Sequence, residues 1–383
     1  MDAIYLDYNA TTPIAGEVAE AMVPYLYEHF GNPSSAHMEG ITARRAVENA
    51  RRQVADLLNC IPDEIVFTSG GTESNNFAIM GAAFAHRNRG SHIITSAIEH
   101  PAVSEICRYL EKFGFRTSYI PVDETGLIDI KKLEHAITPD TILISVMHAN
   151  NEVGTIQPIA DIADMAHTRG ITFHTDAAQS IGKIPVDIEE LGVALLSVAG
   201  HKVYAPKGVG ALFVRTGTTL EKFMHGAGHE RNMRAGTENV LEIVGLGKAC
   251  EIATRDRNKV RMCMTAMRNR LHEGLKSEIR DIRLNGHPEL RLPNTLSIGF
   301  RHVEAPTLLN ELIMAGISAS AGSACHADRT TVSHVLEAMH VPPEYALGTL
   351  RLSVGRMTTP DEIDRAVQIL TEAVKRFSKT QMD

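Results

Sequence analysis

Short apolar segments rich in β-branched residues alternate with longer amphipathic stretches between residues 62 and 215. This alternation is typical of a mostly parallel β-sheet with helices packed on its faces. We therefore predict an α/β fold with a seven-stranded sheet. The predicted strands cover residues 64–68, 92–95, 117–121, 142–146, 171–175, 195–198 and 210–214.

The pattern changes beyond residue 237, where a helical periodicity with a charged face extends over residues 240–276. It is followed by a predicted strand at 295–300 and by predicted helices at 306–315 and 360–378. A chain of 383 residues exceeds what one hydrophobic core usually organises. We predict a large domain at residues 16–255 and a smaller α+β domain formed by residues 1–15 and 256–383.

The composition narrows the possible functions. Hydrophobic residues make up 44% and charged residues 22% of the chain, and the mean hydropathy is -0.08, as expected for a soluble globular protein. The 38 basic and 46 acidic residues give a net charge of -8, which argues against nucleic acids and anionic membranes as partners. No apolar run reaches the ~18 residues of a membrane-spanning helix, and the N-terminus has no basic leader, so we predict a cytoplasmic protein.

Small residues dominate positions 318–328, and we expect the segment at about 318–333 to be mobile because small side chains bury little surface. This segment contains Cys325, one of five cysteines, none of which forms a C-x-x-C pair. The odd count and the spacing favour reduced thiols over a disulfide framework or a zinc site. Cys325 is therefore a candidate reactive thiol, with an exposed cysteine of no function as the alternative.

Residues 69–74, Ser-Gly-Gly-Thr-Glu-Ser, join a predicted strand to a predicted helix. The backbone N–H groups at such a helix N-terminus can bind a phosphate. A glycine-rich turn without a ligand is the alternative interpretation, because neither a P-loop nor a G-x-G-x-x-G pattern is present.

Asp176 and Lys202 each follow the end of a predicted strand, so both can face one ligand at the same edge of the sheet. A desolvated lysine can form an imine with an aldehyde, and a carboxylate can keep a ring nitrogen protonated. Those are the two groups that a pyridoxal cofactor needs. A surface charge at Lys202 and a helix cap at Asp176 are the structural alternatives.

Further motifs accompany these residues along the chain, at 5–13, 31–35, 68–76, 99–100, 148–154, 176–180, 201–202, 229–237, 322–325 and 351–358. Together they resemble the class V, fold-type I pyridoxal-phosphate enzymes and, within them, the cysteine desulfurases of the NifS/IscS type. The resemblance covers essentially the whole chain. It implies the fold-type I transferase fold, pyridoxal 5′-phosphate as cofactor, and conversion of L-cysteine to L-alanine with transfer of the sulfur.

The resemblance also implies roles for individual residues. Lys202 would hold the cofactor as an imine and later move protons at the substrate α-carbon. Asp176 would pair with the pyridine nitrogen, and Gln179 would hydrogen-bond the phenolic oxygen. His100 would stack on the ring and assist proton transfer, with an ordinary helix-start histidine as the alternative. The phosphate would be bound by Gly71, Thr72 and His201, and by Thr237 of a neighbouring subunit, which implies a homodimer with shared sites.

Arg351 matches the arginine that binds the substrate carboxylate in this family, and a planar guanidinium suits a carboxylate through two hydrogen bonds. Asn151 would contact both the ring oxygen and that carboxylate, whereas Arg356 is the alternative anchor and a structural salt bridge is possible for either arginine. As a thiolate, Cys325 would attack the substrate sulfur, leaving alanine and a persulfide that passes to an acceptor. No metal site is predicted, although the Cys325 persulfide could serve as a transient iron–sulfur ligand.

Three features depart from the NifS/IscS pattern. Ala199 stands where many relatives carry a serine that binds the phosphate. Residues 326–328, His-Ala-Asp, replace a Thr/Ser-rich continuation after Cys325, and the sequence ends at Asp383 without an extended scaffold-binding tail. Sulfur release is therefore better supported than iron–sulfur assembly, and the identity of the acceptor protein is not predicted.

A selenocysteine lyase acting on L-selenocysteine is the nearest alternative, since the motifs at 230–232, 236–239 and 351–356 also resemble that enzyme. Two other classes are less consistent with the residues. A non-enzymatic sulfur carrier would not need Lys202, and a nucleotide-binding module would need a recognisable nucleotide loop. The absorption spectrum of the purified protein separates these classes.

Overall fold

A computed structural model describes residues 3–321 and 332–380. Its strands are β1 Ile4–Tyr5, β2 Ile65–Thr68, β3 His92–Ser96, β4 Arg116–Ile120, β5 Thr141–Ser145, β6 Thr172–Asp176, β7 Leu195–Ala199, β8 Gly210–Val214, β9 Ile282–Asn285, β10 Thr295–Phe300, β11 Ile317–Ser318 and β12 Thr349–Ser353. Its α-helices are α1 Gly16–Met22, α2 Pro24–Tyr27, α3 Met38–Leu58, α4 Gly71–His86, α5 Pro101–Leu110, α6 Ile130–Ala136, α7 Ile159–Thr168, α8 Ile188–Leu191, α9 Val240–Glu278, α10 Ala305–Met314, α11 His334–Ala338, α12 Pro343–Ala346 and α13 Pro360–Thr380.

The largest sheet has seven strands in the order β2-β8-β7-β6-β5-β3-β4. The pairs from β7 through β4 are parallel, and β8 runs antiparallel to both β7 and β2. Every residue of β3, β5 and β7 is buried, which explains why these strands are nearly continuous apolar runs in the sequence. The mostly parallel seven-stranded sheet predicted from the sequence is therefore confirmed, with strand ends displaced by at most one residue.

A second sheet is antiparallel and has three strands in the order β12-β10-β9. The N-terminal segment joins this part of the molecule, because β1 pairs with β11 and Asp7 bridges to Ser353 at the end of β12. This pairing brings residues 4–7 beside residues 317–318 and 353.

The apolar side chains form separate clusters on the two sheets. One cluster contains Val54 and Ile144 with Leu246 from the first half of α9, and another contains Leu296 and Leu350 with Leu271 from the second half of that helix. At 39 residues, α9 is about 58 Å long and contributes to both clusters. These clusters support the predicted domain boundaries at residues 15 and 255, which stay predictions. Within residues 3–321 and 332–380, no helix is both long enough and apolar enough to cross a bilayer.

Candidate active site

A cavity of about 380 Å³ opens beyond the carboxyl ends of β6 and β7, where ligands bind in open α/β sheets. The N-terminal segment contributes Asn9 and Ala10 to its wall. The predicted site residues that line the cavity are Gly71, Thr72, His100, Asn151, Asp176, Gln179, His201, Lys202 and Arg351. The fold thus brings together residues that are up to 280 positions apart, from Gly71 to Arg351.

The first turn of α4 forms one end of the cavity. Gly70 turns the chain from β2 into the helix with φ 150, a conformation that side chains rarely adopt, and α4 begins at Gly71. A Cβ on Gly71 would lie 3.1 Å from the Cβ of Ala199, the last residue of β7. Backbone N–H groups can therefore approach an anion closely here, as the sequence pattern predicts.

His201 lies beside this helix terminus, with Nδ1 3.2 Å from Thr11 Oγ1. Burial, and then the nearby charge of Lys202, lowers the pKa of His201 to about 4. The imidazole is consequently neutral at pH 7, so it can offer an anion a hydrogen bond but no positive charge.

Asp176 ends β6 and is only 6% exposed. Its Oδ1 accepts a hydrogen bond from the backbone N–H of Ala178 at 2.9 Å, and its Oδ2 accepts one from Asn75 Nδ2 at 2.7 Å. Two donors hold the carboxylate in one orientation at the cavity. Asn75 is buried one helical turn after Gly71, so α4 supplies both the anion-binding terminus and a support for Asp176.

Lys202 lies in a single turn of 3₁₀-helix, Gly200–Lys202, directly after β7. Its Nζ donates hydrogen bonds to the backbone carbonyls of Asn9 and Ala10, the latter at 2.7 Å. Burial lowers the pKa of Lys202 to about 8, and the positive charge of Arg351 acts in the same direction against smaller effects of Asp7 and Asp176. A substantial fraction of the amine is therefore neutral and nucleophilic near pH 7.

His100 caps the N-terminus of α5, where its Nδ1 accepts a hydrogen bond from Ala102 N at 3.1 Å. This bond fixes the tautomer, because a neutral imidazole that accepts at Nδ1 carries its proton on Nε2. Burial lowers the pKa of His100 in spite of the opposing effect of Asp176. The residue is thus both the helix cap named as the alternative and part of the cavity wall.

Arg351 reaches the cavity from the middle of β12 and is only 4% exposed. Its Nη2 lies 2.9 Å from Asp7 Oδ1, its Nη1 donates to the backbone carbonyl of Asn151 at 3.2 Å, and its Nε has no partner among the described residues. Arg356 is placed differently: its guanidinium lies 4.4 Å from the centre of the Tyr204 ring and does not line the cavity. The geometry therefore favours Arg351 over Arg356 as a ligand-binding arginine.

Comparison with known proteins identifies the family of this chain. The family described as Aminotransferase class-V matches residues 4–366. The chain is 50% identical to a cysteine desulfurase IscS of Methanosarcina thermophila, over 98% of this chain and 93% of that relative. The chain belongs to the cysteine desulfurase family.

Solved structures of the cysteine desulfurase fold extend the similarity to three dimensions. A NifS-like protein matches with a TM-score of 0.92 at 39% identity, covering 98% of this chain and 100% of the other. A structure of SspA in complex with cysteine matches with a TM-score of 0.81, also at 39% identity, covering 93% and 100% of the two chains. The family, the fold class and the enzyme class predicted from the sequence are confirmed by these relatives.

Thr237 and Cys325, both expected in a cysteine desulfurase site, are not among the described residues that line the cavity. Thr237 is exposed and lies three residues beyond Arg234, which pairs with Glu73 in the first turn of α4. Cys325 lies outside the described residues. The described residues on either side of its segment do reach the cavity region: Ser320 pairs with the backbone of Arg351, and His334 lines the cavity.

Gln179 is buried at the cavity, but its hydrogen bonds within the chain were not predicted. Its Nε2 donates to the backbone carbonyl of Asn9 at 3.0 Å, and its Oε1 accepts from Lys183 Nζ at 2.7 Å. Asn9 itself links the two parts of the molecule, since its Nδ2 also contacts Asn151 O and Thr295 Oγ1.

The sequence interpretation assigned no role to Asn9, Asn75, Asp7 or Lys183. A signal existed for Asn75, which lies four residues after Gly71 and hence on the same helix face. Lys183 likewise follows Gln179 by four residues in a run of tight turns. For Asn9 and Asp7 no local signal exists, because their partners lie as far as 344 residues away.

Proposed function

We propose that this cysteine desulfurase binds pyridoxal 5′-phosphate in the cavity and converts L-cysteine to L-alanine. The observation that carries the proposal is the convergence of Lys202, Asp176, His100 and the N-terminus of α4 on one cavity. L-cysteine is supported as the substrate by the related SspA, whose structure is a complex with cysteine. Sulfur would pass to Cys325 as a persulfide and then to an acceptor protein.

The residues present fit the proposed cofactor. Its phosphate would be held by the N–H groups of Gly71 and Thr72 and by His201. Gly71 leaves room at this helix terminus, because a Cβ there would lie 3.1 Å from the Cβ of Ala199. Asp176, oriented by two hydrogen bonds, would hold the pyridine nitrogen in its protonated form. When bound, the cofactor supplies an electron sink for negative charge that develops at the substrate α-carbon.

Lys202 would attach the cofactor and move a proton at the substrate α-carbon. Both tasks need an amine that is partly neutral at physiological pH, and burial provides this by lowering its pKa to about 8. His100 would assist by donating from Nε2, the nitrogen that does not accept from the α5 backbone.

Arg351 would bind the substrate carboxylate, with its unpartnered Nε–H as one of two donors. The partners of Nη1 and Nη2, Asn151 O and Asp7, hold the guanidinium in place for this contact. Asn151 lines the same wall and would contact the carboxylate through its side chain. The substrate would thereby be fixed between Arg351 and Lys202.

We further infer a homodimer in which Thr237 of one subunit contacts the phosphate bound by the other. The exposure of Thr237, and its position beside the Arg234–Glu73 ion pair at the start of α4, support this inference. A cytoplasmic location stays a prediction.

The proposal is tested on protein purified with pyridoxal 5′-phosphate. Borohydride reduction and peptide mapping should recover the cofactor on Lys202, and incubation with L-cysteine should release alanine and, with a reductant, sulfide. Cys325→Ala should keep the cofactor and release no sulfide. Recovery of the cofactor on another lysine, or full sulfide release by Cys325→Ala, would contradict the assignment. A parallel incubation with L-selenocysteine compares alanine formation from the selenium analogue.

A further inference from the structure

Lys183 is a buried lysine that the proposed reaction does not use. It is 6% exposed and follows β6 in a run of turns, four residues after Gln179. Its Nζ donates to Gln179 Oε1 at 2.7 Å and lies 3.4 Å from Asn9 Oδ1. Burying an amine costs free energy of desolvation, which its hydrogen bonds must offset.

No carboxylate lines the small internal space that Lys183 shares with Lys202 among the described residues. The turns after β6, the N-terminal segment, the chain after β7, α9 and the residues next to β10 and β12 surround this space, and α9 contributes only the apolar Val260 and Met264. Lys183 is therefore not the partner of a buried acid. The titratable and charged groups that face it are Tyr8, His201, Lys202, Tyr204 and Arg351.

The contacts of Lys183 fix which way the Gln179 amide points. Burial, and then the positive charges of Lys202 and Arg351, lower the pKa of Lys183 well below its ordinary value, but its Nζ carries N–H donors in either protonation state and donates one to Gln179 Oε1. A backbone carbonyl has only acceptors, so Gln179 must present its nitrogen to Asn9 O. The Asn9 carbonyl and the Lys183 amine together favour one of the two amide orientations. The second N–H of Gln179 Nε2 is left for a ligand in the cavity.

We propose that Lys183 is a positioning residue that locks the Gln179 amide with its N–H group toward the phenolic oxygen of the bound cofactor. This inference rests on the proposed function, and it adds a residue that touches neither cofactor nor substrate. Without Lys183 the amide oxygen loses its donor, only the Asn9 carbonyl still orients the amide, and the amide can turn its N–H group away from the phenolic oxygen. The negative charge on that phenolic oxygen would then lose a hydrogen bond.

The experiment titrates the absorbance of the cofactor attached to Lys202 across pH in wild type and Lys183→Met. Methionine keeps the apolar stem of lysine, ends one atom shorter and donates no hydrogen bond. Loss of the donor to the phenolic oxygen favours the protonated form of the chromophore. We expect the midpoint to move upward by about one pH unit, with cofactor content unchanged.

Gln179→Leu separates positioning from a direct charge effect. If Lys183 acts through the amide, Gln179→Leu alone should raise the midpoint, and adding Lys183→Met to it should add less than half of the shift seen in the wild-type background. Lys131→Met, at an exposed position of α6, serves as the control and should leave the midpoint unchanged. A full shift in the Gln179→Leu background would overturn the proposal.

An unchanged midpoint in fully loaded Lys183→Met would also overturn it. If Lys183→Met does not fold, Lys183→Gln provides a neutral donor one bond shorter, and its midpoint should lie above wild type but below that of Gln179→Leu. A Lys183→Gln midpoint equal to wild type or above Gln179→Leu contradicts the proposal. Failure of the wild type itself to attach the cofactor at Lys202 would reject the proposed function, an outcome distinct from a loaded variant with an unshifted midpoint.

Discussion

The two sides of the cavity are assembled in different ways. On the sheet side, Asp176 and Lys202 follow directly from the ends of β6 and β7, so their positions depend on neighbouring residues of one sheet. On the opposite side, Asn9 and Arg351 are held by contacts such as Asn9 to Asn151 and Arg351 to Asp7, which join residues 142 and 344 positions apart. The positions of Asp176 and Lys202 follow from the topology of the seven-stranded sheet. The opposite side of the cavity forms only when the segment containing Asp7 and Asn9 packs against Arg351 and Asn151.

The two sides are electrostatically coupled as well. After burial, the largest influence that lowers the pKa of Lys202 is Arg351, which comes from the other sheet. The reactivity of the lysine therefore depends on the completed cavity. Substitutions on either side of the cavity can measure how strongly the pKa of Lys202 depends on the opposite side.

The largest expected effect concerns the pH dependence of Lys202 in cofactor-free protein. With a pKa of about 8, roughly 300-fold more of the amine is neutral at pH 7 than in an ordinary exposed lysine. Because the neutral amine attacks the aldehyde, the rate of cofactor attachment, followed by absorbance, should rise with pH and level off above a midpoint near 8. In Arg351→Ala the midpoint should move upward, since loss of a positive neighbour favours the protonated amine. A midpoint above 10 in the wild type would contradict this account.

Arg351→Ala should also weaken the substrate interaction. A charged hydrogen bond contributes about 1.5 to 3 kcal/mol, so kcat/KM for L-cysteine should fall by about 10- to 150-fold. Arg351→Lys should recover only part of the loss, because an ammonium cannot reproduce the planar fork. The matched control is Arg356→Ala, which removes a contact with Tyr204 outside the cavity. If Arg356→Ala abolishes turnover and Arg351→Ala does not, the carboxylate anchor is Arg356.

The difference between the two sides also explains what could be predicted from the sequence. The α/β class, the strand pattern and the sheet-side residues Asp176 and Lys202 follow from local periodicity and from the rule that ligands bind beyond strand ends. The family resemblance supplied Arg351 and Asn151, which local patterns do not indicate. Asn9 carries no local signal, because an asparagine that links two sheets looks like any other asparagine until its distant partners are known.

Asn75 provides a further test on the sheet side. Asn75→Leu removes the hydrogen bond to Asp176 and keeps the branched shape of the side chain with added volume, so the carboxylate should be held less firmly against the cofactor ring. We expect the dissociation constant for pyridoxal 5′-phosphate to rise by about 10-fold, measured by equilibrium dialysis. Asn75→Asp should be more damaging, because it places a second carboxylate against Asp176. Equal effects of the two substitutions would indicate a packing role for Asn75.

The smallest expected effect is a gain at Ala199, the end of β7 beside Gly71. Its methyl group offers no hydrogen bond to a phosphate at the start of α4, and His201 next to it is neutral at pH 7 because its pKa is lowered to about 4. Ala199→Ser adds one hydroxyl donor, and a net hydrogen bond of about 0.7 kcal/mol corresponds to about 3-fold tighter cofactor binding. The measurement is the same dialysis, with Ala199→Val as the control for added volume. Valine should weaken binding, since the Cβ of residue 199 already lies 3.1 Å from the position of a Cβ on Gly71. If serine weakens binding as much as valine does, the space between β7 and α4 is too narrow for an additional phosphate ligand.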